Sequence, residues 1–323
     1  MNEKAALYSL EGKRVWVAGH NGMVGSALIK RLERENCTLL TASRSDYDLR
    51  RQEHVEAFIE RTRPQAVFLA AARVGGIVAN NRSPATFLYD NLQIAANVIE
   101  AARVSGVEKL LNLGSTCVYP KFAPQPISED SLLTGPLEPT NQWYAVAKIA
   151  AIKLCDAYRR QYGCDFISAM PTNLYGTNDN FDLESSHVIP ALIAKLDEAA
   201  REKRPEVTLW GTGTPRREFL YVEDCADALV YLMTYFSGEG PVNIGTGEDV
   251  TIRELAGMIA SVVGYEGSIV FDPTFPDGTP RKLTNVNRLR DLGWRARVPL
   301  ADGLRQTYTW YGENVSRLKR VVH

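Results

Sequence analysis

Short apolar runs alternate with amphipathic stretches through the first half of the chain, the order that βαβ units produce. Strands are expected at Val15 to Ala18, Thr38 to Ala42, Ala66 to Ala71 and Lys109 to Gly114, with another ending at Ala169-Met170-Pro171. Helical spacing recurs between them. Val24, Leu28, Ile29 and Leu32 mark the first helix, and longer helices are expected from about Ser83 to Ser105 and from about Tyr144 to Tyr162. Beyond PTNLYG the chain turns polar and turn-rich in TNDNFDLESSH, which places a domain boundary near residue 175. The segment from Arg217 to Tyr235 again reads as strand then helix. Residues 215–245 are therefore expected to return to a first domain of residues 1–175, leaving 176–323 as the second.

Gly19-His20-Asn21-Gly22-Met23-Val24-Gly25 follows the first apolar run and opens the first helix. In that setting Gly19 permits the tight turn, Gly22 lets backbone approach a pyrophosphate, and Gly25 lets helix and strand pack closely. The helix N-terminus then stabilises phosphate charge. A glycine trio alone also serves simply as a connector, but Tyr144 and Lys148 add chemistry, since residues at i and i+4 share a helix face. An ammonium ~5 Å from the phenol, at an effective dielectric near 20, favours the phenolate by about 3 kcal/mol, or roughly two pKa units. Ser115 and Thr116 stand at the carboxyl end of the fourth strand, the edge where doubly wound sheets bind ligands. Ser115 can hydrogen-bond a substrate oxygen while Tyr144 gives up a proton and a nicotinamide supplies hydride. The expected fold is α/β: a Rossmann doubly wound parallel sheet with a smaller C-terminal α/β substrate domain. After the second strand, Arg44 offers charge to a 2′-phosphate where an acidic residue would select NAD, which favours NADP. An exposed loop arginine is the competing reading. Asp48 and Leu49 are candidates to border the adenine.

Composition narrows the remaining classes. The 323 residues, 45% of them apolar, suffice for a sizeable core. Lys and Arg total 37 against 38 Asp and Glu, so no global field points to nucleic acid or a membrane, and an anionic ligand must be met by local cations. No apolar run has the length of a membrane span, and MNEKAALYSLEGKR lacks a signal peptide's basic start and apolar core. The expected location is the cytoplasm. Five cysteines without CxxC spacing argue for reduced thiols and against a metal site. Arg217, Lys195, Arg281 and Lys282 are candidate diphosphate ligands, and Trp210 is a candidate to flank the nucleotide.

GHNGMVGSAL, AAARVGGIVANN, LGSTCVYPKFAPQPISED, LEPTNQWYAVAKIAAIKLC, MPTNLYG, SSHVIPALI, WGTGTPRREFL and PDGTPRKL resemble the extended short-chain dehydrogenase/reductases that act on nucleotide sugars. Within them the chain is similar to the epimerase-reductases that convert GDP-4-dehydro-6-deoxy-D-mannose to GDP-L-fucose. The likeness covers nearly the whole chain after the first dozen residues. It implies epimerisation at carbons 3 and 5 by Cys117 and His187, then reduction at carbon 4 by Ser115, Tyr144 and Lys148 with NADPH. It also implies cofactor contacts from His20, Asn21, Met23, Val24, Leu113, Gly114, Pro171, Asn173, Leu174 and His187. For the GDP-sugar it implies Lys195, Trp210 and Arg217, with the segment containing Asp277, Arg281 and Lys282 on the same side. Family members commonly dimerise through two helices of the cofactor domain, so a homodimer is implied. They often carry Arg where Asn21 stands, which leaves the NADP preference resting more on Arg44. Three alternatives stay open. A sugar-nucleotide 4,6-dehydratase needs an acid and a base where Cys117-Val118 stand, and a UDP-hexose 4-epimerase retains NAD. A nonenzymatic NADP-binding sensor on the same fold is the third.

Overall fold

The computed structural model describes residues 5–182, 185–275 and 277–321, with the backbone alone at 77–78 and 316–321. Its first half runs β1 (Arg14–Ala18), α1 (Met23–Leu32), β2 (Thr38–Leu40), α2 (Gln52–Thr62), β3 (Ala66–Leu69), α3 (Ile77–Arg82), α4 (Pro84–Val104), β4 (Lys109–Leu113), α5 (Gln142–Tyr162) and β5 (Asp165–Pro171). There follow β6 (Asn173–Tyr175), α6 (Val188–Arg201), β7 (Glu206–Trp210), β8 (Arg216–Arg217), β9 (Phe219–Tyr221), α7 (Val222–Tyr235) and β10 (Pro241–Ile244). The chain ends with β11 (Val250–Thr251), α8 (Ile252–Val263), β12 (Ser268–Asp272), β13 (Arg281–Lys282), α9 (Asn287–Leu292) and α10 (Leu300–Val321).

A six-stranded sheet in the order β10-β5-β4-β3-β1-β2 forms the centre, and all its pairings are parallel. Alternation along each strand divides the core into two layers. Val15 and Val17 face Leu28 and Leu32 of α1 and Leu229 and Met233 of α7. Trp16 and Ala18 face Phe58 and Ile59 of α2, Val98 and Ile99 of α4, and Ala151 of α5. Helices therefore cover both faces, as parallel strands require. The third strand stops at Leu69 instead of Ala71 because its β1 partner, Ala18, is the last residue of that strand. Residues 222–244 contribute α7 against α1 and β10 at the sheet edge, where Val242 pairs with Ala169.

Outside that sheet a second core gathers Ile193 and Leu196 of α6, Leu255 and Ile259 of α8, and Val207 and Leu209 of β7. Here β7 and β12 run parallel, while β8 lies between β11 and β13. Lys109 opens β4 fully buried, but its ammonium donates to the Phe236 carbonyl at 2.6 Å and pairs with Asp165 at 3.0 Å, which offsets the loss of hydration. Among the described residues no helix is long and apolar enough to cross a membrane.

Candidate active site

Gly19 stands at φ +91°, in the left-handed region, and a Cβ there would lie 2.7 Å from the Ala71 backbone. A Cβ on Gly25 would lie 2.0 Å from the Gly19 carbonyl oxygen, so α1 closes against the turn only with glycine. Gly22 caps α1 without a side-chain hydrogen bond, and the first turn holds no acidic residue. The leading N–H groups of the helix are therefore unopposed by carboxylate and suit a phosphate. The Nδ1 atom of His20 is buried without a hydrogen-bond partner among the described residues, while Met23 and Val24 are half-buried at the helix start and Asn21 is exposed. This cradle fits the pyrophosphate of NADP. Gly25→Ala should weaken NADPH binding about ten- to a hundredfold, matching an overpacking cost of about 1–3 kcal/mol. Fluorescence titration with NADPH checks this, and an unchanged affinity would show that the close approach does not matter.

At the end of β2, Arg44 is exposed and makes no hydrogen bond or ion pair among the described residues. It remains open to a 2′-phosphate. Asp48 is instead engaged by Arg50, whose Nε and Nη2 donate to its two oxygens at 2.9 and 2.6 Å and hold its carboxyl at about 2. Asp90 receives Arg50 at 3.3 Å and Arg73 at 2.7 Å, so these charges form one network along the sheet edge. Leu49 packs partly buried against the α2 side of the core.

The groups expected to act in reduction lie at the end of β4. The buried strand finishes at Leu113, and a Cβ on Gly114 would lie 2.2 Å from the Met170 sulfur. Ser115 is extended and caps a short 3₁₀ turn, Thr116–Val118, with its Oγ accepting from the Cys117 N–H at 3.4 Å. From α5, Lys148 donates to the Leu113 carbonyl oxygen at 2.6 Å, fixing the helix that carries Tyr144 to the strand that carries Ser115. Ser115, Cys117 and Tyr144 are all partly accessible, whereas Lys148 is buried.

One expectation fails here. The Lys148 ammonium is 5.8 Å from the centre of the Tyr144 ring and directed to a backbone carbonyl, so it does not lower the phenol. Burial pushes Tyr144 well above its ordinary value, with the Cys117 thiol adding to the rise. Burial likewise lowers Lys148 to about 8. The arrangement holds a protonated phenol, a donor in place, beside an amine close to its titration point.

A second set of groups approaches from the other side. Strand β13 pairs in parallel with β8, setting Lys282 against Arg217 and Arg281 against Arg216. Neighbouring residues on a strand point to opposite faces. Arg281 turns to Asp249, which it meets at 2.5 Å alongside Arg216 at 2.8 Å. Lys282 lies on the other face, where burial lowers its pKa and Arg217 adds to the fall, while a thiolate at Cys117 would oppose it. Arg217 is lowered by burial too. Neither Arg217 nor Lys282 makes an ion pair among the described residues, although Asp277 acts on Arg217 and Glu138 on Lys282 from a distance, so the adjacent cations can still meet an anion.

The other expected ligands are spread around this pair. Lys195 is half-buried and donates to the Thr208 carbonyl at 2.6 Å, its pKa lowered mainly by burial. Trp210 is exposed at the end of β7. Asp277 accepts from the Thr212 N–H and hydroxyl at 2.9 and 2.7 Å, closing a turn beside Arg217. Pro171 ends β5 in the core; Leu174 is half-buried, and the Asn173 amide donates to the Glu218 carbonyl at 2.8 Å. His187 caps α6 without bonding its own helix; it is exposed, and crowding by neighbouring atoms lowers its imidazole.

Two supporting features were not anticipated. Glu218 is fully buried and accepts from the Thr284 N–H, the Thr284 hydroxyl and the Gly247 N–H at 2.8, 2.6 and 2.7 Å, which fixes β13 beside β8. A carboxylate directly before the apolar Phe219-Leu220-Tyr221 is its sequence signal. The Gly76 N–H donates to the Ser185 carbonyl at 3.0 Å, and a Cβ there would lie 2.8 Å from the Ser186 oxygen. Gly76 of AAARVGG therefore secures the residues just before His187.

Residues 15–245 match the model of the NAD dependent epimerase/dehydratase family. The GDP-L-fucose synthase of Sinorhizobium fredii is 57% identical, over 96% of this chain and 99% of its own. An NADP-bound GDP-L-fucose synthetase from Naegleria fowleri superposes with a TM-score of 0.89 at 28% identity, covering 98% of each chain. The NADP-bound GDP-mannoheptose C4 reductase of Campylobacter jejuni gives 0.86 at 34%, over 93% of this chain and 98% of its own. The chain belongs to the NAD dependent epimerase/dehydratase family, within its GDP-L-fucose synthase branch.

Proposed function

We propose that the protein is an NADPH-dependent 3,5-epimerase and 4-reductase that converts GDP-4-dehydro-6-deoxy-D-mannose to GDP-L-fucose. The observation that carries this reading is the meeting of Ser115, Cys117, Tyr144 and Lys148 at the end of β4, together with the register pair of cations Lys282 and Arg217. A carbonyl at carbon 4 acidifies the hydrogens on carbons 3 and 5. Cys117 and His187 stand on different elements and exchange those protons from different directions, each removal leaving an enolate. Ser115 and Tyr144 hydrogen-bond the enolate oxygen. Bound NADPH supplies hydride to carbon 4. Tyr144 then protonates the resulting oxygen, with Ser115 still bonded to it. Lys282 and Arg217 neutralise the diphosphate, and Lys195, Trp210 and Asp277 lie toward the nucleoside. Residues 1–175 with 215–245 form the cofactor domain of this proposal, and the rest of 176–323 the GDP-sugar domain. A cytoplasmic homodimer completes it.

The test is nucleotide oxidation on adding GDP-4-dehydro-6-deoxy-D-mannose, with NADPH and NADH in parallel. Faster oxidation of NADPH and GDP-L-fucose as product are expected. No oxidation by folded protein that binds NADPH would overturn the assignment in favour of another nucleotide sugar or the sensor reading.

A further inference from the structure

We infer that Phe275 joins Trp210 in an aromatic shelf on which the base of a nucleoside diphosphate stacks. The identity of that base as guanine rests on the function proposed above. The rings are 4.7 Å apart at their centres and inclined by 8°, yet they are 66% and 39% exposed. A parallel pair open to water offers a ready-made stacking face, since every nucleobase has a π-surface. Rings this close admit nothing between them, so the base stacks on an outer face.

The shelf is anchored on both sides. Gly211 donates to the Asp272 carbonyl at 2.9 Å, and Thr212 donates to both oxygens of Asp277. Thr274 closes the turn before Phe275 by donating its N–H and hydroxyl to Asp272 Oδ1 at 2.9 and 2.6 Å. The rings are thus held by fixed turns and lose little freedom on binding. Gly278 follows in the same segment, where a Cβ would lie 3.1 Å from Arg217 Nη2, and Lys282 is the register partner of Arg217 across β13 and β8. The cation pair and the shelf therefore adjoin, in the order of diphosphate and base. Phe275 contributes affinity at the far end, away from the reacting carbons.

The experiment compares wild type with Phe275→Ala and Phe275→Tyr by calorimetric titration with GDP and, separately, with inorganic pyrophosphate. Thermal melts and NADPH titrations verify the fold. Phe275→Ala should weaken GDP about tenfold and leave pyrophosphate unchanged, with Phe275→Tyr restoring GDP. In turnover the same loss should appear in KM with kcat within about twofold. Unchanged GDP affinity in Phe275→Ala, or an equal loss for GDP and pyrophosphate, overturns the inference. Because GDP binding needs no turnover, a wild type that binds GDP through Phe275 but does not reduce the ketosugar would refute the proposed reaction and leave the shelf standing.

Discussion

Tyr144→Phe should reduce kcat/KM for NADPH oxidation by the ketosugar about 10³-fold, within the span of a positioned general acid. The substitution keeps the ring and removes only the hydroxyl, so NADPH affinity and thermal stability should stay near wild type. Solvent deuterium should still enter carbons 3 and 5, more slowly, because Ser115 remains to bond the enolate. Full reductive activity in this variant would remove Tyr144 from the acid role. The pH dependence follows from Lys148, lowered to about 8 by burial. Below that pH the ammonium holds α5, and with it Tyr144, to the Leu113 carbonyl at the end of β4. As pH rises through about 8 the charge is lost, and the reductive rate should fall with it. A profile rate-independent of pH across this range would show that the ammonium does not assist.

The cofactor half was legible because its signals are local. Glycine spacing, a buried run and the i, i+4 pair of Tyr144 and Lys148 each fit within one strand-turn-helix or one helix turn. What lies across elements was not. Sequence brought Lys148 near Tyr144 but could not reveal that its ammonium bonds the Leu113 carbonyl, so the inferred fall in the phenol pKa came out with the wrong sign. The substrate half was harder for the same reason. Strands β8 and β13 hold two residues each, too few to display a period, and their pairing depends on the buried Glu218 binding Thr284. Without that pairing, Arg281 and Lys282 look equivalent; with it, they lie on different faces. Phe275 carried no motif and became visible only when its ring lay on Trp210.

Cys117→Ser should separate the two chemistries. A serine hydroxyl is far less acidic than a thiol, so it serves poorly as a base near neutral pH. Deuterium incorporation from solvent at one of carbons 3 and 5 should drop about 10²–10³-fold. Reduction should persist, because Ser115, Tyr144 and Lys148 are untouched, and the product should retain the starting configuration at the carbon that no longer exchanges. Product analysis by NMR reads both outcomes. Burial raises the thiol, while the Lys282 ammonium draws it down. Removing that charge in Lys282→Met must leave the thiol higher, so the alkaline rise in deuterium exchange should shift to higher pH, independently of any loss of diphosphate affinity in KM. Wild-type exchange at both carbons in Cys117→Ser would assign the base to another group. An unshifted pH profile in Lys282→Met would mean that the lysine serves the diphosphate alone.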